Sequence, residues 1–97
     1  MRILIQRTGG FAGISKKAIV DTANLSFEET KQLSDLLEAA NFFNLPTVIN
    51  SPSNQADRFQ YIFTVEANNQ QHTVKVSEVA LSGTLKQIIE WVNARGN

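Results

Sequence analysis

Between Phe59 and Glu66 the chain alternates without a break: Phe59, Tyr61, Phe63 and Val65 fall on one side, and Gln60, Ile62, Thr64 and Glu66 on the other. A period of two is the repeat of a β-strand with one face buried. A face of three aromatic rings and a valine demands an apolar layer against it. Asn68-Asn69 follows, and asparagine tolerates the positive φ of a tight turn. Gln71 to Ser77 then returns as a strand, with Val74 and Val76 alternating against Thr73 and Lys75. Folding the pair about the turn puts both valines on the aromatic face.

The rest of the chain supplies that layer and extends the sheet. Arg2 to Thr8 reads as a strand with Ile3 and Ile5 on one face, and Ile14 to Asp21 as its hairpin partner. Gly9-Gly10-Phe11-Ala12-Gly13 separates them, because three glycines in five residues make a poor strand interior. Ser26-Phe27-Glu28-Glu29 is a capping box, followed by Leu33, Leu36, Leu37 and Ala40 at helical spacing. The first helix is therefore expected from Ser26 to Ala40, ended by the approach to Pro46. Ser51-Pro52-Ser53-Asn54-Gln55 is a loop. A second helix, from Thr84 to Ala94, carries Leu85, Ile88, Ile89 and Val92 on one stripe, with Trp91 beside it.

The order ββαββα predicts an α+β fold: a four-stranded antiparallel sheet with two helices packed on one face, forming one domain over residues 1–97. If the elements traverse the domain in turn, the Gly9–Gly13 tip, the Leu45–Asp57 loop and the Ser77–Gly83 segment share one end. The Asn68-Asn69 turn falls at the other.

Composition narrows the function. Nine basic residues balance nine acidic ones, and the nearest approach to a basic run is Lys16-Lys17. Such a chain has no overall field to draw it onto nucleic acid or an anionic membrane. No apolar run approaches the roughly 20 residues that span a bilayer. The start, Met1 to Arg7, is too short in apolar residues for a secretory leader, so the expected location is the cytoplasm. There is no cysteine, hence no disulfide and no thiol chemistry.

No catalytic set emerges. His72 is the only histidine, and on the inner face near a strand end it reads as an ordinary half-buried side chain. One histidine without cysteine gives no metal-ligand spacing, and neither a metal nor a cofactor is expected. Glu28, Glu29, Asp35 and Glu38 are spread along the first helix as a solvated face. The glycines at 9, 10 and 13 lack the Gly-Lys-Ser/Thr ending of a phosphate loop and precede a strand instead of a helix. What remains there is Phe11, Ala12 and Ile14 in a glycine frame. That is either a hairpin tip folded onto the core or an apolar tip for a partner's cleft.

Arg7-Thr8-Gly9-Gly10-Phe11-Ala12-Gly13-Ile14 resembles the opening motif of the emfourin family. Val20-Asp21-Thr22, Leu25, Phe42-Phe43, Leu45-Pro46, Asp57-Arg58-Phe59 with Tyr61, and His72 with Val74 continue the likeness over nearly the whole chain. Emfourin is a bacterial protein inhibitor of thermolysin-like zinc metallopeptidases of the protealysin type. The resemblance implies a stoichiometric inhibitor without catalysis of its own, the zinc belonging to the target. Loop geometry nominates Gly9, Gly10, Phe11, Ala12, Gly13, Ile14, Asp57 and Arg58 as the residues that touch and block the peptidase cleft. The alternative is a non-enzymatic interaction or small-ligand domain with an unrelated partner.

Overall fold

The computed structural model describes residues 1–9, 16–49 and 59–95. Five strands, β1 (Arg2–Gly9), β2 (Lys16–Asp21), β3 (Val48–Ile49), β4 (Phe59–Ala67) and β5 (Gln70–Ser77), form one sheet in the order β2-β1-β4-β5-β3. Two helices, α1 (Phe27–Ala39) and α2 (Gly83–Arg95), complete it. The β1–β2, β1–β4 and β4–β5 pairings are antiparallel, as the alternation predicts. Asn68 and Asn69 turn the β4–β5 hairpin with φ of 51° and 63°, the positive values that asparagine accommodates.

Register decides which face is buried. Ile3 stands opposite Val20 on one side and Val65 on the other, while Ile5 stands between Ala18 and Phe63. Phe63 in turn faces Val74. All of these are buried, and they share one core with Leu33 and Leu37 of α1 and Leu85, Ile88 and Val92 of α2. Both helices therefore cover the same side of the sheet. The other side, with Leu4, Ile19, Ile62, Thr64, Thr73 and Val48, carries no helix among the described residues.

Local chemistry sets the helix ends. The Ser26 hydroxyl accepts from the Glu29 amide at 3.2 Å, and the Glu29 carboxylate accepts from the Ser26 amide at 3.3 Å, completing the expected capping box. At the far end Asn41 takes a left-handed conformation, φ 52°, which stops α1. The chain then turns Phe42 into the core, where its ring lies edge-on to Phe63 at 6.3 Å and to His72 at 5.6 Å. Arg95 closes the helix pair: its Nε donates to Glu29 at 3.0 Å and its guanidinium lies 4.3 Å from the centre of the half-buried Trp91 ring. Trp91 donates to the Gln32 side chain at 3.1 Å.

Two expectations need correction. Among the described residues the sheet has five strands and is mixed, not four and antiparallel, because Val48–Ile49 pairs parallel to β5. Pro46 cannot donate a backbone hydrogen bond, but the β-branched Thr47-Val48-Ile49 that follows can extend. Thr47 accepts from the Lys75 amide at 2.8 Å and covers the outer edge of β5. Two residues are too few for alternation to register. Nor does the stretch beginning at Leu45 lie wholly at the glycine-rich end. Leu45 accepts from His72 Nε2 at 2.8 Å, nearer the Asn68 turn, and the chain reaches the other end only at Ile49.

Candidate functional site

The described residues that flank the nominated ones meet at one end of the sheet. Gly9 pairs with Phe59 in the last rung of the β1–β4 ladder, and Thr8, Gln60 and Ser77 form the rung behind it. Arg7 stands between Lys16 and Tyr61, and Tyr61 faces Val76, which is paired with Ile49. The two chain segments 10–15 and 50–58 thus leave and re-enter the described structure through Gly9, Lys16, Ile49 and Phe59, all in these last rungs. Asn68 and Asn69 stand at the opposite end, as expected.

Of the nominated residues, Gly9 alone is described. Gly10, Phe11, Ala12, Gly13, Ile14, Asp57 and Arg58 lie outside the described residues. Gly9 has φ 102°, a conformation that side-chain-bearing residues rarely adopt, so glycine is required at the first step out of β1. The neighbouring motif residues have a defined role. The Arg7 guanidinium lies 4.6 Å from the centre of the Phe59 ring, so the two motif segments Arg7-Thr8-Gly9 and Phe59-Gln60-Tyr61 are joined by a cation–π contact as well as by the ladder.

Arg7 and Lys16 oppose one another at this end, and Glu78 follows Ser77 there. Arg7, Lys16 and Lys17 have no acidic partner among the described residues. They line a shallow cleft of about 40 Å³ with Tyr61, Ile89 and Asn93. That cleft admits little more than a water molecule. Neither the basic cluster nor the Arg7–Phe59 contact was foreseen from the sequence. The two-residue run Lys16-Lys17 hinted at it, but Arg7 joins only through strand pairing.

A roomier cleft, about 430 Å³, opens at the other end between α1 and the Asn68 turn, lined by Met1, Leu37, Asn41, Phe42, Phe43 and Asn68. Ser34 and Glu38 of α1 line it as well. His72 is half-buried between the Phe42 and Phe43 rings, and its Nε2 donates to the Leu45 carbonyl, which gives the ring a structural anchor. Among the described residues no group of three or more His, Cys, Asp or Glu is placed to hold a metal ion. No helix among them is long and apolar enough to cross a membrane.

A model of the emfourin family matches residues 5–93. No curated protein and no solved structure matches the chain. The matched span takes in both motif segments at the glycine-flanked end, all of α1 and all but the last two residues of α2.

Proposed function

This chain belongs to the emfourin family, and on that premise we propose that it is a proteinaceous inhibitor of a thermolysin-like, protealysin-type zinc metallopeptidase. The family match over residues 5–93 carries the reading. The proposed contact end is the one at which Gly9, Lys16, Ile49 and Phe59 meet. Gly9, Gly10, Phe11, Ala12, Gly13 and Ile14, with Asp57 and Arg58, are the residues assigned to the peptidase cleft.

The physical argument concerns how a cleft-filling segment avoids being cut. A peptidase hydrolyses a peptide bond that can be brought into line with its zinc-bound water. Strand pairing on both sides of the 10–15 segment restrains its ends, and the Arg7–Phe59 contact braces the neighbouring strand. A segment held at both ends can bind without adopting the in-line geometry, and holding the ends also reduces the entropy lost on binding. Phe11 supplies an apolar anchor, and Arg7 and Lys16, opposed in the β1–β2 ladder, favour an acidic cleft rim.

The test is a titration of a protealysin-type peptidase with this protein, read by peptide hydrolysis. Loss of activity at one equivalent, with the inhibitor recovered uncut, supports the proposal. Full activity at large excess turns attention to the alternative, an interaction or small-ligand domain, for which the 430 Å³ cleft at the opposite end is the site to probe.

A further inference from the structure

We propose that the free edge of β2 is a self-recognition surface, at which two copies of this chain pair antiparallel about a two-fold axis through Ile19. Among the described residues, β2 has a neighbour on one side only, β1. Its six residues are open along their whole length, whereas Val48–Ile49 covers part of the outer edge of β5. An open edge of that length presents unpaired N–H and C=O groups to a further strand. Lysine commonly guards such an edge, so the question is whether Lys16 and Lys17 forbid pairing or direct it.

The pattern of β2 answers this. Ala18 and Val20 point into the core, while Lys17, Ile19 and Asp21 point to the side without helices. A two-fold axis perpendicular to the sheet sets like faces together, so only residues of the same parity can stand opposite one another. Centred on Ile19, the pairing sets Lys17 against Asp21 of the second copy, Ile19 against Ile19, and Ala18 against Val20. Centred on Ala18 it sets Lys17 against Ile19, and centred on Val20 it sets Ile19 against Asp21. Of these registers only the one centred on Ile19 matches cation to anion and apolar to apolar from Lys17 to Asp21. Lys17 has no acidic partner among the described residues of its own copy. Asp21 uses one carboxylate oxygen to accept from the Ala23 amide at 2.9 Å and keeps the other.

The surface behind the edge continues the match. Leu4 stands opposite Ile19 in the β1–β2 ladder, so the junction would run as an unbroken apolar row from Leu4 and Ile19 to their counterparts. The two Gly9 ends would point in opposite directions, away from the two-fold axis. A single strand pair buries less than about 1,200 Å², so the association is weak and reversible.

Cysteine trapping tests this. The chain has no cysteine, so Ile19→Cys in the full chain introduces a single thiol. Opposed Cα atoms in an antiparallel pair lie about 4.5–5.5 Å apart, inside the span a disulfide bridges. The control is Val48→Cys, at the opposite edge on the same side of the sheet and equally exposed, 49% against 46%. At about 100 µM protein under mild oxidation, Ile19→Cys should form covalent dimers about tenfold faster than Val48→Cys. Adding Lys17→Asp, which sets carboxylates against each other at both ends of the junction, should bring Ile19→Cys down to the control rate while circular dichroism stays unchanged. Equal rates for the two cysteines would overturn the proposal, as would a Lys17→Asp that leaves the fast rate intact. An edge that receives a strand of some other protein instead would give the first of these results.

Discussion

The Arg7 guanidinium lies 4.6 Å from the centre of the Phe59 ring, linking the strand that enters one motif segment to the strand that leaves the other. The two residues are not directly opposed. Arg7 faces Tyr61, and Phe59 faces Gly9, whose lack of a side chain leaves room for the arginine to reach diagonally. A contact of this kind at a partly exposed site stabilises by roughly 0.5–1 kcal/mol. Arg7→Ala should therefore lower the thermal midpoint by a few degrees, followed through the single tryptophan, Trp91. An unchanged midpoint would mean that the contact contributes nothing to the fold.

Gly9 makes a sharper demand. At φ 102° a β-carbon is strained whatever the surrounding space, and backbone strain of this kind costs about 1–3 kcal/mol. Gly9→Ala should show that loss in urea unfolding. A neutral Gly9→Ala would indicate that the first step out of β1 takes another conformation.

The core prediction concerns Phe63 and Phe42, both buried and in edge-on contact. Truncating either to alanine should cost roughly 3–5 kcal/mol, a large share of the total stability of a small domain. Ile62→Ala, one residue along β4 on the side without helices, should cost markedly less. Equal losses at positions 62 and 63 would contradict the assignment of the buried face.

Stability should also depend on pH through Glu29. The Ser26 amide and the Arg95 guanidinium hold its carboxyl below the ordinary carboxylate value. A carboxyl with a lowered pKa in the folded state contributes stability that is present above its unfolded value. That contribution is lost as pH falls through the folded value. The stability of the parent should thus decline through the acid range more steeply than that of Glu29→Gln, and the two curves should converge at low pH. Parallel curves would show that Glu29 is not linked to folding.

Most of the sheet was legible because its strands alternate. Phe63, Val65, Val74 and Val76 declare their face, and Ser26 with Glu29 declares the start of α1. Phe42 did not declare itself: it follows the helix in a turn set by Asn41, and no periodic pattern extends there. Val48–Ile49 was missed because two residues carry no period, and their parallel pairing depends on where α1 delivers the chain. The glycine-flanked end was legible as a place, since hairpin order alone brings Gly9, Phe59 and Ser77 together. Its charge was not, because Arg7 and Lys16 become neighbours only through the β1–β2 register.

The central claim is that the Gly9–Ile14 segment, with Phe11 as its apolar anchor, blocks a metallopeptidase cleft. An anchor at the centre of an interface is worth about 2 kcal/mol or more, roughly thirtyfold in affinity. The direct measurement is the inhibition constant against a protealysin-type peptidase for the parent, Phe11→Ala and Asn69→Ala, each first confirmed as folded. The account predicts a loss of about thirtyfold for Phe11→Ala and little change for Asn69→Ala at the far end. A folded Phe11→Ala that inhibits as well as the parent would contradict it.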